Sequence, residues 1–191
     1  SARRSRHREN YMIFLKRKIF ISHYKGDRRE VDAFIQEFEG VFIPKVLGAN
    51  DNNEFINSTN TDYVMQRIRE KYLEDSTVTI VLVGSCTHSR RYVDWEIKSS
   101  LQQGRDLPNG LLGIAIPRGK TSAHLPERFK YNWKKDGEGY AKFQSYPSSE
   151  QQLREWIEGA YQARTMRASL IDNSLPMMRY NSKCTICEKT H

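Results

Sequence analysis

The sequence predicts an α/β fold: a mainly parallel sheet flanked by helices, with an appended β-hairpin and a C-terminal helix. Three observations predict it. Residues 78–83 (VTIVLV) and 111–116 (LLGIAI) are apolar on both faces, as strands covered on both sides of a parallel sheet must be. Amphipathic stretches of helical period lie between the apolar runs, so strand alternates with helix. Gly40, Gly84-Ser85, Gly104 and Pro117 stand where these runs end.

Each element has its own signature. Residues 18–22 (KIFIS) are short, apolar and β-branched, enough for a buried first strand. Val31, Phe34, Ile35 and Phe38 then share one helix face, and Asp27 with Glu30 has the spacing of a capping box. Residues 41–47 predict a second strand, which Pro44 makes an edge strand or a broken one. Residues 48–60 are rich in Asn, Asp and Ser and read as a surface loop. A helix starting at Thr61 or Asp62 follows through Val64, Ile68 and Leu73, and Ser89 is placed to cap another that buries Val93, Ile97 and Leu101. Phe129, Tyr131 and Trp133 alternate with polar residues ahead of a Gly-rich turn at 136–139, which predicts the hairpin. Ser149 with Gln152 caps the last helix, whose apolar face is Leu153, Trp156, Ile157, Ala160 and Tyr161. The periodicity fades after about Arg164. The expected organisation is a basic arm at 1–17, one α/β domain at 18–165 and a tail at 166–191.

Bulk properties narrow the function. No run approaches the roughly 18–20 apolar residues of a membrane span, so no membrane association is expected. Three cysteines, Cys86, Cys184 and Cys187, are too few and too uneven for a secreted disulfide framework, which predicts a cytoplasmic protein. The net charge of +8 is concentrated: residues 1–18 carry seven Lys or Arg against one Glu, leaving the remainder at +2. A nearly neutral folded part does not predict nucleic acid as a partner.

In an open parallel sheet, ligands bind beyond the carboxyl ends of the strands, where helix N-termini and loop backbone converge. The loops to inspect are therefore 22–27, 84–90 and the chain after Pro117. None follows a Walker or GxGxxG pattern. Ser22 and Ser85 could bond a ribose or phosphate, or simply end strands. His23 and Tyr24 could flank a ribose or stack on a ring, or close the first strand. Asp27 reads as a helix cap. Arg90 and Arg91 could meet a pyrophosphate or lie solvated; Tyr92 and Trp95 read as core aromatics. Glu96 borders the buried Val93–Ile97–Leu101 stripe, half-buried and facing the loops. From spacing alone, an ion pair with Arg90, Arg91 or Lys98 accounts for it. Cys86 has no base beside it in sequence. Cys184-x-x-Cys187-x-x-x-His191 looks like part of a zinc site with too few ligands, which Cys86 could extend; a disordered tail is the plainer expectation.

Three blocks of the chain change the weight given to Glu96. They are KIFISHYKGD, the VTIVLVGS strand end, and SRRYVDWEI at a helix start. Together they resemble the TIR-like domains of bacteria, closest to the ThsB-type subunit of Thoeris anti-phage systems, over about residues 18–165. The resemblance implies a flavodoxin-like, TIR-like fold. It implies Glu96 as the catalytic carboxylate and NAD as substrate rather than bound cofactor; the loop residues Ser22, His23, Tyr24, Ser85 and Arg90, with Tyr92, are then the candidates for the substrate pocket. No metal is required. It further implies cleavage of the nicotinamide–ribose bond to an ADP-ribose-type signal, linear or cyclic. A homo-oligomer, a separate effector protein that reads the product, and a phage-derived trigger go with it. The alternative is a non-catalytic TIR-like module for protein interaction and oligomerisation. Chemistry agrees with the enzyme: the broken bond leaves an oxocarbenium-like cation that one carboxylate can stabilise, while nicotinamide departs neutral and needs no general acid.

Overall fold

A computed structural model describes residues 14–46, 59–104, 106–117, 123–135 and 137–190. The surface loop expected at 48–60 falls outside these residues as far as position 58. So do positions 1–13 of the basic arm and the stretch after Pro117 as far as position 122. The strands are β1 (Arg17–His23), β2 (Phe42–Val46), β3 (Val78–Val83), β4 (Gly110–Ala115) and β5 (Lys142–Gln144); the helices are α1 (Arg28–Glu37), α2 (Thr61–Ile68), α3 (Arg91–Ser100), α4 (Glu127–Trp133) and α5 (Glu150–Met166). A π-helical turn at Arg69–Leu73 prolongs α2.

All strand pairs are parallel, in the order β2-β1-β3-β4-β5. This is the flavodoxin-like order, and its topological switch point lies between β1 and β3. Strand residues alternate between two cores. Ile19 and Ile21 of β1 and Val78, Ile80 and Leu82 of β3 pack against α1 and α5. On the other face, Val81 and Val83 pack against α3 and α4, and Phe20 packs against α2 and Trp95. Every residue of β3 is buried, as expected for the central strand, and β2 with Pro44 is an edge. At Gly110 the chain must be bare: a Cβ there would meet the Ala160 carbonyl oxygen of α5 at 2.1 Å.

The expected hairpin is corrected. Residues 127–133 form α4, and the only strand after it among the described residues, β5, runs parallel to β4. The alternation of Phe129, Tyr131 and Trp133 concealed a helical face of Arg128, Phe129 and Asn132, all fully buried, with Tyr131 outside. Two of those three buried positions are polar, and each is satisfied. Arg128 pairs with Asp94 at 2.8 Å, and the Asn132 side chain bonds both the N–H and the C=O of Asp172 at 2.8 Å. Ser149 does cap α5 through Gln152 N–H. Asp27 and Ser89 do not cap α1 and α3 with their side chains.

The tail is not disordered. It runs back along α3 as a strap. The Asn173 amide donates to Lys98 C=O, Met178 N–H donates to Asp94 Oδ2, and Trp95 Nε1 donates to Met178 C=O. Near the start of α3, Asn181 Oδ1 accepts from Arg91 N–H at 3.0 Å, supplying the cap that Ser89 does not, and Ser182 N–H bonds Ser89 C=O. None of the helices among the described residues is long and apolar enough to cross a membrane.

Candidate active site

The switch point brings together most of the residues singled out in the sequence. β1 ends in Ser22 and His23, and the following turn presents Tyr24 and Lys25. Arg90 and the first turn of α3 face this turn from across β3. His23, Tyr24, Lys25, Arg90, Tyr92 and Val93 line one cleft of about 70 Å³. The Arg90 guanidinium lies 5.3 Å from the centre of the Tyr24 ring, within cation–π range. Burial lowers the pKa of His23, with Arg28 adding to the effect, so the imidazole is neutral at neutral pH. Burial raises the phenol pKa values of Tyr24 and Tyr92. Tyr92 also packs edge-on against Trp95 at 5.1 Å, so it serves both cleft and core, whereas Trp95 is wholly core, as expected.

Glu96 sits one helical turn beyond Tyr92. It is 5 % exposed rather than half-buried, which corrects the sequence reading. The expected ion-pair partners are engaged elsewhere: Arg90 at Tyr24, Arg91 at the Arg179 carbonyl and Lys98 at the Asn173 carbonyl. Desolvation pushes the Glu96 pKa up to about 8, and the Ser22 hydroxyl facing it holds the rise back. That approach stops short of good hydrogen-bond geometry, so Ser22 Oγ, fully buried, has no proper partner. A buried hydroxyl left half-satisfied beside a buried carboxyl is costly to a fold and typical of a site kept ready for a ligand.

Ser22 and Glu96 are not among the residues lining the cleft, and two further candidates stand apart from it. Ser85 lies on the β3–α3 loop with its carbonyl accepting from Cys184 Sγ at 3.3 Å, and Arg91 braces the tail rather than reaching a phosphate position. Lys25 and Val93 are cleft residues that sequence reasoning missed; the position of Lys25 directly after Tyr24 was the available signal. Asp27 was read as a cap, yet its Oδ2 is buried without a partner. A Cβ at Gly84 would lie 2.5 Å from that oxygen, so Gly84 permits the two loops to close together. Desolvation, with the Glu30 charge second, raises the Asp27 pKa to about 6. A larger cavity of about 390 Å³ lies at the amino ends of the strands, among Phe14, Leu15, Arg17 and α5. No helix N-termini converge there, and it is not the candidate site.

Comparison with known protein families gives a family match. The family described as Thoeris protein ThsB, TIR-like domain, matches residues 20–121, which contain β1, β3, α3 and every residue of the cleft. A search of individually curated proteins gave no match.

Proposed function

The chain belongs to the TIR-like domain family of Thoeris protein ThsB, and from that premise we propose that it cleaves the nicotinamide–ribose bond of NAD to make a nucleotide signal in anti-phage defence. One observation carries the proposal: a buried carboxyl, Glu96, faces the buried Ser22 hydroxyl at the β1/β3 switch point, where the chain neighbour of Ser22, His23, and the residue one helical turn before Glu96, Tyr92, both line the cleft.

The chemistry follows from charge. In the free protein Glu96 holds its proton to about pH 8. A cationic nicotinamide ring brought near it favours the ionised form, as any opposite charge does. When the glycosidic bond breaks, its electron pair leaves on the pyridine nitrogen and positive charge moves to the ribose. The carboxylate then faces an oxocarbenium-like ion in a site with little water to screen it. Ser22 holds a ribose hydroxyl or the carboxylate itself, Tyr24 or Tyr92 stacks on a ring, and Arg90 draws the pyrophosphate. Water attack gives ADP-ribose and one proton; attack by the adenine ring gives a cyclic isomer.

The cleft of about 70 Å³ is well below the roughly 300 Å³ at which pockets begin to enclose a drug-sized ligand. A second copy of the chain that supplies further walls would complete it, so turnover per molecule should rise with protein concentration. Purified protein with NAD, followed by mass spectrometry of the products, tests the reaction. Nicotinamide release by the wild type and its loss in Glu96→Gln are expected. Equal release from both proteins would remove Glu96 from the mechanism. No release even at concentrations where the chain self-associates would favour a module for protein interaction.

A further inference from the structure

The tail ends in a cluster that the NAD chemistry does not use. Cys86 stands in the β3–α3 loop, 98 positions before Cys184, yet their sulfurs are 2.8 Å apart. Cys187 Sγ is 3.3 Å from Cys86 Sγ, and all three sulfur atoms fall within 4.8 Å of one another. None of the three is in a disulfide; Cys86 and Cys184 are buried and Cys187 reaches the surface. Cys187 N–H also points at Cys184 Sγ, at 3.5 Å. An amide aimed at a sulfur stabilises the thiolate form, as outer-shell donors do around metal-bound ligands.

We propose that Cys86, Cys184 and Cys187 bind one Zn²⁺ ion and thereby clasp the C-terminal strap to the loop that leads into α3. Three sulfurs at this spacing suit the ion. Zn–S bonds of about 2.3 Å in a tetrahedron set sulfurs about 3.8 Å apart, inside the range the cluster spans. Thiolates are the soft ligands that select zinc from among common divalent ions. Each thiol gives up its proton on binding, and no electron is transferred. A disulfide would use two sulfurs and strand the third; a zinc ion uses all of them.

The place of the cluster gives the ion a task. Between Asn173 and Ser182 the strap is held to α3 and its flanking loop mainly by polar bonds, with little apolar burial to keep it down. A structural metal contributes folding free energy where an apolar core does not. Clasping the strap holds Asn181 against the first turn of α3, beside Arg90 and between one and two turns before Glu96. The inference stands whether or not the cleft processes NAD.

The test uses the full chain, purified from zinc-supplemented culture under reducing conditions, and measures metal by mass spectrometry after gel filtration. About one zinc per chain is expected. The Cys184→Ser/Cys187→Ser double variant should lose it while keeping the wild-type circular dichroism, because both positions lie outside the sheet and its helices. Hydrogen exchange across 173–187 should speed up on chelation, while that of β3 stays unchanged. Cobalt replacement should show a thiolate-to-metal charge-transfer band that the variant lacks. Zinc-free wild type with three reactive thiols after incubation with Zn²⁺ would overturn the proposal. So would a Cys86–Cys184 disulfide in the fresh protein, or zinc that persists in the double variant.

Discussion

Replacing Glu96 with glutamine should make the fold more stable in alkaline solution. Glu96 is 5 % exposed, and desolvation raises its pKa from 4.5 to about 8, with Ser22 the opposing influence. Between those two values the native chain holds a proton that the unfolded chain has released. The unfolded state then binds fewer protons, so stability falls as pH rises through this window. Below about pH 4.5 both states are protonated and the favourable contribution is fully present; above about pH 8 it is gone. At about 1.36 kcal/mol for each pH unit, the interval amounts to about 5 kcal/mol. Glutamine has nearly the same shape and does not titrate. Asp27, whose pKa is also raised, is present in both proteins and cancels in their difference. Urea unfolding followed by tryptophan fluorescence at pH 5, 7 and 9 gives the two profiles. The variant should gain on the wild type from pH 5 up to about pH 8 and then level off, by about 4 kcal/mol in all. Parallel profiles would show that Glu96 is solvated or ion-paired in solution, and the argument from its burial would fail.

Other outcomes follow from the same geometry. Nicotinamide release should fall about 100- to 1,000-fold in Glu96→Gln, the usual loss when one preorganised electrostatic partner is removed, and a loss under about threefold would exclude a catalytic role. In the wild type, kcat/KM for NAD should rise with pH to a plateau above about 8, as Glu96 ionises in the free protein; a rate that is flat from pH 6 to 9 contradicts this. Asp94→Ala should cost about 3–5 kcal/mol in chemical denaturation, because it leaves the fully buried Arg128 without its carboxylate; a loss below 1 kcal/mol would mean that water reaches the guanidinium. Gly110→Ala should lower stability by about 1–3 kcal/mol by forcing β4 away from the Ala160 carbonyl, and an unchanged unfolding midpoint would show that α5 is free to shift.

Much of the fold was legible in the sequence because its signals are local. Two-sided apolar runs identify β3 and β4, a proline marks β2 as an edge, and helical stripes place α1, α3 and α5. The site was legible in part for the same reason. Ser22, His23, Tyr24, Arg90 and Tyr92 end or follow the two strands whose carboxyl ends flank the switch point, and four of them do line the cleft. What only the tertiary structure decided depends on partners far away along the chain. Period alone cannot show α4, because two of its buried positions are Arg128 and Asn132, which are tolerated inside only when Asp94 and Asp172 meet them. The strap has no apolar period; polar groups on α3 and its flanking loop hold it. Cys86 and Cys184 are 98 positions apart; the sequence offers Cys86 as one candidate to extend the Cys184 and Cys187 set, and only the packing of the strap brings the sulfurs to 2.8 Å. The state of Glu96 belongs to this second class. Its place on a helix face follows from spacing, but its charge depends on how much water the packing of β1 against α3 excludes, and desolvation is a property of the assembled core.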